Sequence, residues 1–380
     1  MTVIDSARPA YPVTVKGAVL RKTAEPGMYT NTTPLAVEEL TLAAPGPNEV
    51  LVRIEAAGVC HSDLSVINGS RPRPLPMLLG HEAAGIVVDF GEEVLDLPPG
   101  QRVVAAFLPR CGDCAGCRTD GRQPCAPGSA ANANGTLLGG DIKLDRDGEA
   151  VFHHLGVSGF ATHAVIDRRS LVPVDHDVPP SVAAVLGCAL LTGGGAVLNV
   201  VRPTPETSVA VVGLGGVGMA ALITARALGV KDLIAVDQLV EKLDKANTLG
   251  ATRAYTPQQA SAEGVTADLV IEAAGHPRAF ETAVEITAAG GSMVTVGLPA
   301  PDARASLSPL SITAEAKSIH GSYLGSAIPS RDIPVFVDLW RRGALDIEAL
   351  ISDTIRLDDL NTAMDRLHEG VAIRQVIVFD

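Results

Sequence analysis

The chain has 380 residues, a formal net charge of −13, six cysteines and nine histidines. At roughly 150 residues per domain, this length predicts two or three domains, each large enough to bury its own core. Apolar residues make up 47% of the chain and aromatics 3%, which excludes a disordered chain and predicts a core of Val, Leu, Ile and Ala. The acidic balance argues against nucleic-acid or anionic-lipid partners. The first twenty residues, broken by Asp5, Arg8, Pro9, Pro12 and Lys16, lack the apolar core of a signal peptide. Ser208–Ala225 reads as the longest apolar stretch, and its four glycines mark a strand–turn–helix rather than a membrane span. A soluble cytoplasmic protein is expected.

Up to about residue 185 the pattern is that of short strands. Val50–Ile54, Ala84–Val88 and Gln101–Ala105 are separated by Pro/Gly clusters such as Pro45-Gly46-Pro47 and Pro98-Pro99-Gly100. From about 190 strands and helices alternate. Strand Ser208–Gly213 precedes helix Val217–Leu228, and strand Asp232–Asp237 precedes helix Leu239–Leu249. Strand Ala267–Glu272, a helix around Arg278–Ala288 and strand Ser292–Gly297 follow. This alternation predicts a parallel, doubly wound sheet. After about 322 the chain closes with a helix near Asp358–Glu369 and a strand Arg374–Phe379. The predicted class is α/β, with a β-rich domain, an inserted Rossmann-type domain and a return to the first.

Gly213-Leu214-Gly215-Gly216-Val217-Gly218 sits between a buried strand and a helix, the context in which G-x-G-x-x-G binds a dinucleotide. The glycines permit the turn, the approach of a pyrophosphate and close helix packing, while the helix N-terminus supplies amides and partial positive charge. Asp237, nineteen residues beyond Gly218, suits a ribose diol and repels a 2′-phosphate, so NAD is expected over NADP. Lys242 is placed to reach the same ribose, although a helix lysine is often merely solvated. A Gly-rich turn without a ligand is the alternative.

Cys111-x-x-Cys114-x-x-Cys117-x7-Cys125 places four thiols within fifteen residues, the spacing of a closed tetrahedral zinc site with a structural role. Free thiols, a redox pair or a zinc-ribbon nucleic-acid module are the alternatives. Cys60 in C-H-S-D, His81 in G-H-E-x-x-G and Cys188 in G-C-A-L each have an ordinary reading as packing residues. Together they make a three-ligand zinc site with one open position, the catalytic arrangement.

With these motifs in this order, the chain resembles a zinc-dependent medium-chain alcohol dehydrogenase over nearly its whole length. The resemblance implies a GroES-like catalytic domain at 1–188, a Rossmann domain at 189–322 and a return at 323–380. It implies two zincs per chain: Cys60, His81 and Cys188 hold the catalytic ion, and Cys111, Cys114, Cys117 and Cys125 the structural one. Asp63 would orient His81, Glu82 would lie behind the metal, and Ser62 would bond the substrate alcohol. His61 and Arg374 would meet the cofactor pyrophosphate beside Gly213, Gly215, Gly216, Val217 and Gly218. Thr192, Val296 and Leu298 would meet the nicotinamide.

The chain departs from the best-known members at Ser65, where they carry a histidine that ends the proton relay, so water is expected to finish it. Phe107 matches an apolar wall of the substrate channel. His154 falls where many relatives place a large apolar residue; it either lines the channel or is a solvated loop histidine. Between the C-H-S-D and G-H-E motifs the stretch Asn68–Gly80 offers Arg71 and Arg73, not the acid of the glutathione-dependent formaldehyde branch. The interval from Cys125 to Cys188 resembles the branch whose members are usually dimers, joined through an edge strand, here around Ser306–Gly321. The function expected is zinc- and NAD-dependent reversible oxidation of an alcohol, a primary one with allylic and aryl alcohols among the candidates, to the aldehyde or ketone by hydride transfer. The alternatives are a polyol or sugar dehydrogenase on the same scaffold and a non-catalytic zinc- and NAD-binding module.

Overall fold

The computed structural model describes residues 9–25 and 27–379. Its β-rich part begins as a small closed barrel of strands Val13–Leu20, Leu35–Leu42, Leu144–Arg146, Glu149–His153 and Met77–Leu78. Beside it lies a sheet in the order Leu171–Val174, Arg102–Ala105, Ala83–Phe90, Glu49–Val59, Gln375–Val378 and Asp353–Ile355, with His163–Asp167 also paired to Glu49–Val59. Glu49–Val59 is long and almost wholly buried, so its eleven residues can serve as the spine for several partners. One of these is the C-terminal strand. Gln375 pairs with Val59 in an antiparallel register, which carries Arg374 back to Cys60 across more than three hundred residues of chain.

The second unit is a six-stranded parallel sheet in the order Arg253–Tyr255, Asp232–Val236, Ser208–Val212, Ala267–Glu272, Thr287–Thr295 and Ser318–Gly321. In chain order this is 3-2-1-4-5-6, the doubly wound arrangement, whose ligand crevice lies beyond the carboxyl ends of its central strands. Val209–Val212 are buried on both faces, as a central parallel strand requires. The edge strand Ser318–Gly321 is exposed at all four residues.

The expected strands and helices of both units are present, with ends shifted by a few residues. The largest difference concerns the apolar stretches. Pro180–Val201 forms one helix of 22 residues with a mean hydropathy of 1.9, longer than the segment beginning at Ser208. By length and composition it is apolar enough to cross a membrane, but 89% of its most apolar window is buried inside the protein, where it joins the two units. From Leu186 onward it winds more widely than an α-helix, as π-helix. Gly187 and the run Gly193–Gly195 disguise it in the sequence, since glycines ordinarily punctuate loops. The core is aliphatic as expected: Tyr29, Phe107, Phe160 and Phe336 are its only buried aromatic residues among those described. Each fully buried Leu or Val contributes on the order of 2 kcal/mol from burial.

Candidate active site

Cys60 ends the strand Glu49–Val59 in extended conformation and caps the helix His61–Ile67. The cap is reciprocal, because Asp63 Oδ2 accepts from the Cys60 backbone N–H at 3.0 Å. The same carboxylate turns its other oxygen to the next motif: Oδ1 lies 3.0 Å from His81 Nδ1 and 3.3 Å from the Gly80 N–H. Asp63 thus fixes the backbone before one donor and the ring of another. With Nδ1 committed to Asp63, His81 presents Nε2 to Cys188 Sγ on the long helix, at 3.5 Å. The donor atoms of Cys60, His81 and Cys188 all lie within 4.8 Å of one another, and the three residues are at most 6% exposed.

The charges of these groups are set mainly by one another. Burial by itself would push Asp63 up, but the charge of His81 and the proximity of His154 hold it at about 2. Burial would likewise lower His81, yet Asp63 and the Cys60 thiol hold it well above its ordinary value. Contact with Cys188 pulls the Cys60 thiol down despite burial. Two thiols and one imidazole nitrogen, converging in a buried cluster with a carboxylate behind, are a donor set that fits zinc and leaves one of four coordination positions open. Glu82 follows His81 and is fully buried, with neither carboxylate oxygen hydrogen-bonded. Burial pushes its carboxyl up to about 7 against the pull of Arg374, whose Nη1 lies 3.5 Å away.

His154 does not line the channel. It is 1% exposed and stands edge-on to His81, ring centroids 5.3 Å apart. Its Nδ1 is 3.1 Å from Asp63 Oδ1, but the N–H is not directed along that line, so the contact is electrostatic rather than a formed hydrogen bond. The residue supports the cluster from behind.

Two linked cavities open in front of the donors. A smaller one, about 120 Å³, is lined by Cys60, Ser62, Ser65, Phe107, Cys188 and Thr192, with Val296, Leu298, Arg71 and Tyr323 also in its wall. Phe107 and Tyr323 meet edge to face at 5.9 Å. The other, about 270 Å³, runs past His61, Gly213 to Val217, Asp237, Lys242, His368 and Arg374. A third space of about 750 Å³ continues beyond Asp237 past Gln238, His276 and Arg278. The glycine loop is built as its sequence requires. Gly213 has φ +90°, and a Cβ on Gly218 would meet the Gly213 carbonyl oxygen at 1.8 Å, so Gly218 serves helix packing and does not face the cleft. Asp237 Oδ2 accepts from the Leu214 N–H at 2.7 Å and Oδ1 from the Leu239 N–H at 3.0 Å, locking the loop to the end of the second strand. The buried, unpartnered Nε of Arg374 and the open amide end of helix Gly216–Ala227 fit a dinucleotide pyrophosphate.

Every expected cleft residue except Gly218 therefore borders the cleft or stands directly behind it. Sequence reasoning missed the loop Ala273–Gly275, shaped by Glu272 Oε1 accepting from Ala274 N–H at 2.8 Å and Gly275 N–H at 2.7 Å. It also missed His368 and Tyr323, which carry no motif; position after a central strand was the one available signal, for the loop alone.

The four-cysteine lobe is a second donor set. Cys111, Cys114, Cys117 and Cys125 bring their sulfurs within 4.8 Å of one another, and none is in a disulfide. Backbone N–H groups of Cys111, Gly112, Cys117 and Gly128 point at the sulfurs of Cys114, Cys117 and Cys125 at 3.3–3.4 Å. Four protein sulfurs leave no position open for a substrate, so the set fits a structural zinc site.

Comparison with known proteins agrees. Residues 46–176 match the alcohol dehydrogenase GroES-like domain and residues 216–342 the zinc-binding dehydrogenase domain. The chain is 36% identical over 357 residues to a geraniol dehydrogenase of Castellaniella defragrans, covering 91% of this chain and 95% of the relative. It is 33% identical over 355 residues to alcohol dehydrogenase B of Mycobacterium tuberculosis, covering 90% and 95%. The crystal structure of benzyl alcohol dehydrogenase from Acinetobacter calcoaceticus superposes with a TM-score of 0.88 at 28% identity, covering 97% of this chain and all of that one. The chain belongs to the zinc-dependent alcohol dehydrogenases of the medium-chain dehydrogenase/reductase family.

Proposed function

We propose that Cys60, His81 and Cys188 hold the catalytic zinc of an NAD-dependent alcohol dehydrogenase, with Asp63 orienting His81 and Glu82 behind the metal. The carrying observation is that Cys60 borders both the substrate cavity and the cofactor cleft, with Cys188 in the wall of the first. When bound, zinc polarises the alcohol oxygen as a Lewis acid and the nicotinamide takes up hydride.

The protein's own residues position and deprotonate. Phe107 and Tyr323 supply apolar walls that exclude water from the reacting carbon. Ser62 Oγ takes the hydroxyl proton of the substrate while passing on its own. Ser65 Oγ donates to the His61 carbonyl at 2.9 Å, so it can only accept from the cleft side, and the proton leaves through water. Thr192, Val296 and Leu298 hold the nicotinamide end. Gly213, Gly215, Gly216, Val217, His61 and Arg374 hold the pyrophosphate, while Asp237 and Lys242 hold the ribose.

The names of the relatives support allylic and aryl alcohols as the substrate type. A polyol dehydrogenase is disfavoured by Cys188 standing where those enzymes tend to place a carboxylate, and a silent module by the intact open site. The remaining readings are a cytoplasmic enzyme, domains at 1–188, 189–322 and 323–380, and a homodimer joined at the exposed edge strand Ser318–Gly321. The test is initial rates with NAD and NADP over aliphatic, allylic, benzylic and polyol alcohols. NAD-dependent oxidation of allylic and benzylic alcohols is expected; a preference for NADP overturns the role of Asp237.

A further inference from the structure

Between the helix His61–Ile67 and the strand Met77–Leu78 the chain runs Asn68-Gly-Ser-Arg71-Pro-Arg73-Pro-Leu-Pro76. Pro72, Pro74 and Pro76 fix φ at every second residue, so the strap holds its side chains at little further cost in chain entropy. Arg71 lines the 120 Å³ cavity whose wall also holds Cys60, Cys188 and Tyr323. Among the described residues its guanidinium has no hydrogen bond or ion pair. Arg73 is half-buried, and its Nε is fully buried without a partner. Burial and the neighbouring charge of Arg71 push Arg73 down from its ordinary value. The nearby acid, Asp63, is fully buried and already engaged by Cys60, Gly80 and His81.

A protein rarely leaves a guanidinium unpaired in a pocket wall beside a second, partly buried cation, because desolvation is costly until an anion arrives. A guanidinium fork matches a carboxylate in two parallel hydrogen bonds. Cavities of ~150 Å³ admit a benzene ring, so this one is of single-ring scale.

We propose that the substrate is an alcohol or aldehyde of about single-ring size bearing a carboxylate remote from the reacting carbon, with Arg71 as the residue that reads the carboxylate. The inference rests on the function proposed above, which places the reacting carbon at the cysteine end. Arg73 supplies the second positive charge and steers the anion inward.

The test compares 4-(hydroxymethyl)benzoate with benzyl alcohol on the zinc-loaded enzyme with NAD. Wild type should favour the carboxylate in kcat/KM by roughly tenfold or more, mainly through KM. Arg71→Leu should bring the ratio near one, and Arg71→Lys should retain part of it. Calorimetric binding of the same two alcohols to the NADH-loaded enzyme gives a readout free of turnover and should show the same contrast in Kd. Equal Kd values in wild type, or a contrast that survives Arg71→Leu, overturn the proposal. Oxidation of neither alcohol overturns the proposed function, while the binding contrast still decides the role of Arg71.

Discussion

Arg374 and Glu82, about three-quarters of the chain apart, form a buried pair behind the cysteine–histidine cluster, with Arg374 Nη1 3.5 Å from Glu82 Oε2 and 3.0 Å from the Val59 carbonyl oxygen. Both side chains are at most 3% exposed. Removing one partner of such a pair strands the other charge, at a cost of about 3–5 kcal/mol. Arg374→Leu leaves Glu82 to take up a proton, so it should lower stability in chemical denaturation by less than that, and raise the KM for NAD as well. Glu82→Gln should cost less, since burial already brings this carboxyl close to its neutral form. Losses in the double variant that equal the sum of the two single losses would contradict the pairing.

Asp63 gives a prediction that separates metal retention from folding. Its carboxylate orients the His81 ring and receives the Cys60 N–H. Asp63→Asn keeps an acceptor for the cap but presents a weaker partner to imidazole. Zinc should leave the site some ten- to a hundredfold more readily in a chelator competition, with the four-cysteine ion unaffected. Release at the wild-type rate would remove Asp63 from this role.

His153 predicts a pH dependence of stability. The ring is buried, its Nε2 accepts the Lys143 backbone N–H at 3.0 Å, and burial with the nearby Lys143 charge pushes it down to about 4. As pH falls, the unfolded chain gains this proton near about 6.5, while the folded protein resists until about 4. Stability contributed by the neutral ring is therefore full above pH 6.5 and lost progressively as pH falls to about 4, on the order of 3 kcal/mol in all. His153→Asn should flatten this part of the stability curve. An unchanged slope between those values would show that other groups govern it.

The proton path gives a kinetic counterpart. Ser65 cannot act as a base near neutrality, so alcohol oxidation by the native enzyme should rise steadily with pH. Ser65→His introduces a base with a pKa of about 6.5 and should flatten the rise above about pH 7. A pH–rate profile unchanged by the substitution would place the proton's exit elsewhere.

Much of this architecture was legible because its chemistry is local. Cys60 with Asp63, the four cysteines of the lobe and the glycine loop each lie within a short run, where spacing reports geometry directly. The doubly wound sheet was legible for the same reason, since its strands and helices alternate with distinct periods. What escaped reading depends on distant packing. Nothing near His154 announces that it stands behind His81, because Asp63 meets it from ninety-one positions away. The helix Pro180–Val201 was hidden by glycines that, inside a buried helix, serve close packing rather than turns. Arg71 was visible as a residue, but its place in the cavity wall depends on how the proline strap crosses the donors.

The central claim is that the six cysteines divide into a closed site and an open one, each holding zinc. Metal analysis of purified wild type and Cys60→Ser, alongside NAD-dependent alcohol oxidation, tests it most directly. Two zincs per chain should fall to one in the variant, with oxidation lost and the fold kept. One zinc in both proteins, with oxidation unimpaired in the variant, would contradict it.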